Sequence, residues 1–202
     1  MNSQLRIGHF SPDAPAVDIH VDGEPLLEGV SFGTLGDYVD VDAGSYDVEI
    51  VPAAGGDAVL SATLDLENGV SYTVLAVNAL ADIEALVLTD DQPVVDAGDA
   101  RLRFVHTVPD APAVDIWAGD EMLFENVAFG EGSAFATVDA DAYDIDVRPA
   151  GADDDVLSLA GVGLDDATSY TMLATGMLDE SLDAVLVADY VTTEADDRTV
   201  AP

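Results

Sequence analysis

The feature that most constrains this fold is a repeat. The stretch Arg6-Ile7-Gly8-His9-Phe10-Ser11-Pro12-Asp13-Ala14-Pro15-Ala16-Val17-Asp18-Ile19 returns as Arg103-Phe104-Val105-His106-Thr107-Val108-Pro109-Asp110-Ala111-Pro112-Ala113-Val114-Asp115-Ile116, each residue 97 positions beyond its counterpart. The match runs on through Phe32-Gly33 and Phe129-Gly130, Tyr46 and Tyr143, and Pro52 and Pro149. After a one-residue insertion it reaches Ser71-Tyr72-Thr73 and Ser169-Tyr170-Thr171. A unit of this length carries its own core and is a domain, longer than the roughly 20–50 residues of a solenoid repeat. Residues 1–91 therefore read as the first copy and 101–190 as the second. Residues 92–100 read as a Pro-, Gly- and Asp-bearing linker, and 191–202 as a polar tail.

Within each copy, apolar residues alternate with polar ones at the strand period of two. Leu5, Ile7 and His9 share one face, and Arg6 and Gly8 the other. Val17, Ile19 and Val21 face inward, with Asp18 and His20 outward. Further strands are expected at Tyr38–Val41, across Tyr46, Val48 and Ile50, and across Leu60, Ala62, Leu64 and Leu66. The last of these ends at the Asn68-Gly69 turn. Leu75 to Leu86 also fits an amphipathic helix, but its counterpart holds Thr175-Gly176 and Asp179-Glu180-Ser181, so both segments read as two strands joined by a turn. The expectation is an all-β chain of two tandem immunoglobulin-like β-sandwich domains, each of about seven or eight strands. Tyr72 and Tyr170, each four residues past a turn residue (Asn68, Asp166), are candidates for the tyrosine corner of such sandwiches.

Charge narrows the environment. Forty-one acidic residues face five arginines and no lysine, a formal net charge of −36. Acidic chains poor in apolar residues stay unfolded, but here 49% of residues are hydrophobic and they are patterned. Self-repulsion of this size opposes compaction in dilute buffer. Molar salt shortens the screening length to about 3 Å, so the composition reads as adaptation to high salt. It also argues against nucleic acid, which demands a basic footprint, and against anionic membrane surfaces. No apolar run approaches the ~18 residues of a membrane span. With no cysteine, thiolate chemistry and disulfides are out. The opening Met1-Asn2-Ser3-Gln4-Leu5-Arg6 shows no charged-then-apolar leader, which reads as cytoplasmic if Met1 is the true start.

The segments His9 to Asp18, Ala43-Gly44-Ser45-Tyr46-Asp47-Val48 and Ser71-Tyr72-Thr73-Val74 resemble the bacterial and archaeal domain of unknown function numbered 4397, in both copies and over about nine-tenths of the chain. The resemblance implies an immunoglobulin-like sandwich, often in tandem on exported or envelope proteins, and it implies no activity. Two departures between the copies matter here: Ser11 becomes Val108, and Gly44 becomes Asp141.

Candidate functional residues cluster in the shared motif: His9, Asp13 and Asp18, and their counterparts His106, Asp110 and Asp115. They read either as a ligand or catalytic group or, preferably, as a strand-end histidine bonded to a shaped Pro-Asp turn. A Ser11–His9–Asp13 triad is disfavoured, because three residues within one turn rarely align and copy two lacks the serine. No G-x-S-x-G, H-E-x-x-H, phosphate loop or dinucleotide fingerprint occurs. Arg6 and Arg103, taken as outward, are expected to pair across strands with Asp18 and Asp115, contributing about 0.2–1 kcal/mol. The acidic groups Asp139, Asp141, Asp144 and Asp146, and Asp153 to Asp155, read as solvated faces, with a loose cation site at 153–155 as the alternative. Trp117, matching His20, is a candidate contact residue. The expected role is a non-enzymatic structural or protein-interaction module of a halophilic envelope, without cofactor. The alternative is a small-ligand or divalent-cation binder using the His9 and His106 loops.

Overall fold

The computed structural model describes residues 2–90, 94–178 and 180–191; the expected polar tail lies outside them, apart from residue 191. The chain forms two compact units, one built on Met1–Asp91 and the other on Gln92–His106 and Asp110–Ala174. Both are β-sandwiches.

The first unit contains β1 (Ser3–His9), β2 (Val17–Val21), β3 (Glu24–Val30), β4 (Thr34–Leu35), β5 (Val39–Val41), β6 (Gly44–Pro52), β7 (Leu60–Leu66), β8 (Ser71–Val77) and β9 (Glu84–Asp90). One sheet runs β4-β1-β8-β9, with β5 also on β1, and the other runs β3-β2-β6-β7. The second unit contains β10 (Asp99–His106), β11 (Val114–Ala118), β12 (Glu121–Val127), β13 (Ala136–Asp139), β14 (Ala142–Pro149), β15 (Leu157–Gly163), β16 (Thr168–Thr175) and β17 (Asp183–Val191). Its sheets run β13-β10-β16-β17 and β12-β11-β14-β15. Among the ladders whose register is described, pairing is antiparallel except that β1 lies parallel to β8 and β10 parallel to β16.

The first copy has nine strands because the segment opposite β1 is split into β4 and β5; copy two keeps β13 and a single bridge, Val105 to Gly132. The expected linker is shorter than residues 92–100, since Asp99 and Ala100 already pair with Asp139 and Val138. The segment that also fitted a helix is two strands, with one short 3₁₀ turn at Leu80–Asp82 between them.

Period-two alternation places the core correctly. Leu5 and Ile7 of β1, Val17 and Ile19 of β2, Val48 and Ile50 of β6, Leu64 and Leu66 of β7, and Tyr72 and Val74 of β8 form one apolar cluster. In copy two Leu102, Phe104, Ile116, Ile145, Val147 and Met172 are buried likewise. Sheets that hide alternate residues from water on one face gain about 25 cal/mol per Å² of apolar surface.

The other face of the β1 sheet corrects the sequence reading. All of β8 and all of β16 are buried, as are Phe10, Leu75, Val105 and Leu173. Their run Ser71-Tyr72-Thr73-Val74-Leu75-Ala76-Val77 is nearly continuous in apolar and small residues, the mark of a strand covered on both sides. An added Cβ at Gly8 would sit 2.8 Å from Leu35, 2.9 Å from Phe10 and 3.1 Å from Leu75, so any larger residue there must displace the tips of those side chains.

Both tyrosine corners form. The Tyr72 hydroxyl accepts from the Glu67 backbone N–H at 3.2 Å, and Tyr170 from Asp165 at 3.0 Å. Each fixes the bend that carries the chain from one sheet into the other.

Candidate functional site

The shared motif begins at the end of β1, where the chain leaves one sheet for the other. His9 is buried. Its Nε2 lies 3.0 Å from the Pro15 carbonyl, and its Nδ1 accepts the Ser11 backbone N–H at 3.4 Å. Those partners fix the neutral tautomer with the proton on Nε2. Burial lowers the pKa of His9, against smaller opposing effects from the Pro15 and Ala14 carbonyls. His106 repeats the arrangement, with Nε2 3.0 Å from the Pro112 carbonyl and a pKa lowered by burial. Phe32 and Phe129 meet these rings edge-on, each with centroids 6.3 Å apart. The histidines thus clamp the Pro-Asp turn to the strand end.

The carboxylates of the motif do not converge on the histidine. Asp13 reaches away to accept the Leu80 backbone N–H at 2.6 Å, tying the motif loop to the 3₁₀ turn before β9. Asp18 accepts the Gly29 N–H at 2.7 Å. Asp115 accepts from Asn126 at 2.7 Å and from Gly151 at 2.9 Å. These acceptors sit where the β2–β3 and β11–β12 ladders slip register, and Gly29 and Asn126 hold positive φ of 64° and 53° there. A carboxylate bonded to the freed N–H stabilises such a bulge. Asp110 is exposed at the turn matching Asp13. A ligand or cation on His9 needs a ring nitrogen turned outward, and both are engaged inside the loop.

The expected Arg6–Asp18 and Arg103–Asp115 pairs do not form. β1 and β2 belong to opposite sheets, as do β10 and β11. The arginines are also buried rather than outward, at 2% and 3% exposure. Arg6 Nε donates to the Thr73 hydroxyl at 2.7 Å, and that hydroxyl donates to Asp90 Oδ2 at 2.6 Å. The Tyr38 hydroxyl donates to the same Asp90 oxygen at 2.7 Å, and its ring lies 4.5 Å beneath the guanidinium. Burial, followed by the Asp90 charge and hydrogen bond, outweighs Arg6 and raises the Tyr38 pKa. In copy two Arg103 Nε donates to Thr171 at 2.8 Å, Thr171 donates to Asp189 at 2.5 Å, and Phe135 replaces Tyr38. A buried charge with a charged or hydrogen-bonded partner is tolerated where a lone one is not. Parity missed this cluster; the available signal was the recurrence of an arginine, a threonine and an aromatic residue at matching sites in a chain so poor in arginine.

Every described arginine rests on an aromatic ring. Besides these two, Arg101 lies 4.4 Å from the Phe135 centroid and Arg148 4.9 Å from that of Trp117. Arg148 also bonds Asp155 at 2.5 Å and approaches Asp146 at 3.7 Å. The Asp155 hydrogen bond raises its pKa. Two of the other acidic candidates serve local backbone: Asp144 accepts from Gly161 and Asp141 from Ala142, each at 2.8 Å. Among the described residues, no group of three or more His, Asp or Glu side chains could hold a metal ion.

A concavity built by the second unit lies beside Trp117, between β11, β12 and the turn after β14. It measures about 710 Å³ and is lined by Asp115, Trp117, Met122, Asn126, Gly151 and Asp153, among others. The sequence marked Trp117 as a contact residue but gave no sign of the cleft around it.

No curated protein matches the chain. Among solved structures, one titled as alpha-glucan binding by a streptococcal virulence factor is similar at 13% identity, over 90% of this chain and 96% of that one, with a TM-score of 0.26. A family CBM26 domain from Eubacterium rectale, in complex with maltoheptaose, is similar at 11% identity over 94% and 98%, with a TM-score of 0.27. Residues 3–117 and 102–200 match the family described as Domain of unknown function (DUF4397). The motif, its duplication and the two sandwiches agree with that match, and the chain belongs to this family in two tandem copies.

Proposed function

We infer that the chain is a pair of non-catalytic β-sandwich modules that display and space binding surfaces at a cell envelope bathed in concentrated salt. The observation that carries this reading is the use made of the shared motif. His9, Asp13 and Asp18 each bond backbone groups of their own unit. A general base needs a ring nitrogen within reach of a substrate proton, and His9 spends both of its nitrogens on holding a turn. What the motif produces is a rigid sandwich end, the kind of scaffold on which surfaces and loops do the binding. The charge of −36 supports the high-salt setting, since only strong screening relieves such self-repulsion.

The test is co-sedimentation with envelopes isolated from the source cells, in concentrated KCl. The expected result is saturable pelleting that survives the double substitution His9→Gln and His106→Gln, measured on folded protein. A chain that stays in the supernatant at every envelope concentration overturns the reading. So does any turnover of envelope material that the double substitution abolishes.

A further inference from the structure

The cleft beside Trp117 is fixed in shape and has unused recognition groups. Its two walls are the end of β12 and the turn after β14, and Asp115 ties one to the other through its bonds to the Asn126 and Gly151 N–H groups. Arg148, pinned by Asp155 and Asp146, stacks on the indole and sets its orientation. The anchored carboxylate and the pinned cation leave little to reorganise when a ligand arrives, which lowers the cost of binding. Among the described residues, the indole N–H, the Asn126 side-chain amide and the Glu125 and Asp153 carboxylates make no side-chain hydrogen bond within the protein. Met122, 40% exposed, adds an apolar wall.

The chemistry selects the occupant. Asp115, Glu125 and Asp153 on a chain of charge −36 reject an anion. No group of metal ligands exists here, and Arg148 already brings a cation to one face of the indole and to the carboxylates around it. A neutral molecule with ring hydroxyls and one C–H face fits what remains. Its hydroxyls donate to the carboxylates and the amide oxygen, and accept from the amide and the indole N–H. Its C–H face lies on apolar aromatic surface. None of these contacts needs net charge, so concentrated salt does not screen them away. We propose that the cleft formed by Trp117, Met122, Glu125, Asn126 and Asp153 binds a neutral saccharide ring. This deepens the envelope reading by naming a ligand class for one face of the second copy. Copy one places His20 and Gly29 at the positions of Trp117 and Asn126, so the site belongs to copy two.

Trp117 is the sole tryptophan of the chain, so its fluorescence reports the site directly. The whole chain in concentrated KCl would be titrated with three neutral probes, maltotriose, cellotriose and chitotriose, and with galacturonate and arginine amide as charged controls. The expected result is a saturable change with at least one neutral probe, with Kd on the order of 1 mM or tighter, and none with the controls. Calorimetry would then compare Trp117→His, which copies the residue that copy one tolerates at this position, and Glu125→Gln. Trp117→His should weaken binding at least about tenfold, and Glu125→Gln about threefold, with melting temperatures unchanged. No saturable change with any neutral probe, or Trp117→His binding as the parent does, overturns the proposal. Envelope co-sedimentation separates the two claims: if the chain pellets while all three probes fail, the module reading stands and the saccharide site falls.

Discussion

The Thr73 hydroxyl is the joint of the buried cluster in the first copy, and its removal gives the sharpest test of how that unit is held. It accepts from Arg6 Nε at 2.7 Å and donates to Asp90 at 2.6 Å, and Thr73 is fully buried. Thr73→Val keeps shape and β-branching and deletes both bonds. Each involves a charged partner, a class worth about 1.5–3 kcal/mol. No water replaces them in a closed site, so the expected loss is about 3 kcal/mol, at the lower end of the two together. Thr171→Val removes the matching pair of bonds at 2.8 and 2.5 Å in copy two and should cost a similar amount. Urea unfolding at fixed high KCl measures both, because guanidinium chloride would change ionic strength as it denatures. Arg6→Met with Asp90→Leu serves as the companion variant. Removing both charges should cost less than Arg6→Met alone, which strands the carboxylate. A Thr73→Val loss below about 1 kcal/mol would refute the claim that this hydroxyl bridges two buried charges.

Other outcomes follow from the same geometry. Burial depresses the pKa of both His9 and His106, so the unfolded chain takes up protons first. Stability should be full above about pH 6.5, the unfolded value, and fall as pH drops toward the folded values. Melting curves in molar salt, where carboxylate repulsion is screened, should show this, and His9→Gln with His106→Gln should flatten it. Tyr72→Phe deletes the corner bond to the Glu67 N–H and should cost about 1 kcal/mol, with Tyr170→Phe doing the same; an unchanged urea midpoint in either would argue against a structural corner. Gly8→Ala pushes a Cβ into Leu35 and Phe10 and should cost about 1–3 kcal/mol by overpacking. Copy two carries Val105 and Thr107 at the positions of Gly8 and Phe10, so Phe10→Thr should reduce that cost in a double-mutant cycle. The melting temperature of the whole chain should climb with KCl, steeply at first, as −36 charges are screened.

Much of the fold was legible because alternation is a local property. Leu5 and Ile7, Val17 and Ile19, and Val48 and Ile50 announce their buried face whatever their strands pair with. Pairing is not local, and there the sequence reading went astray. It set β1 beside β2 because neighbours in sequence usually pair, and so gave Arg6 the wrong partner. In the structure β1 lies against β8, 67 residues on from Arg6 to Thr73. Parity also says which residues share a face but not whether water reaches it, so Arg6 and Gly8 passed as exposed. The histidine motif was read as a clamped turn, and its bonds to Pro15 and Pro112 have that form. Trp117 stood out as an odd residue at a repeat position, yet its cleft depends on a bulge at Asp115 and a left-handed Asn126, which no spacing of residues reveals.

The parallel placement of β1 against β8 has a consequence for how such a chain can grow. Gln4 stands opposite Ser71, and Ser71 opposite Asp90, so the first and last strands start and finish at the same edge row, about 10 Å apart at ordinary strand spacing. A polypeptide that enters and departs by neighbouring doors can be lengthened by stitching an identical bead onto the thread, with no strand threaded back through what is already knotted up. Gene duplication asks little more of a protein than that.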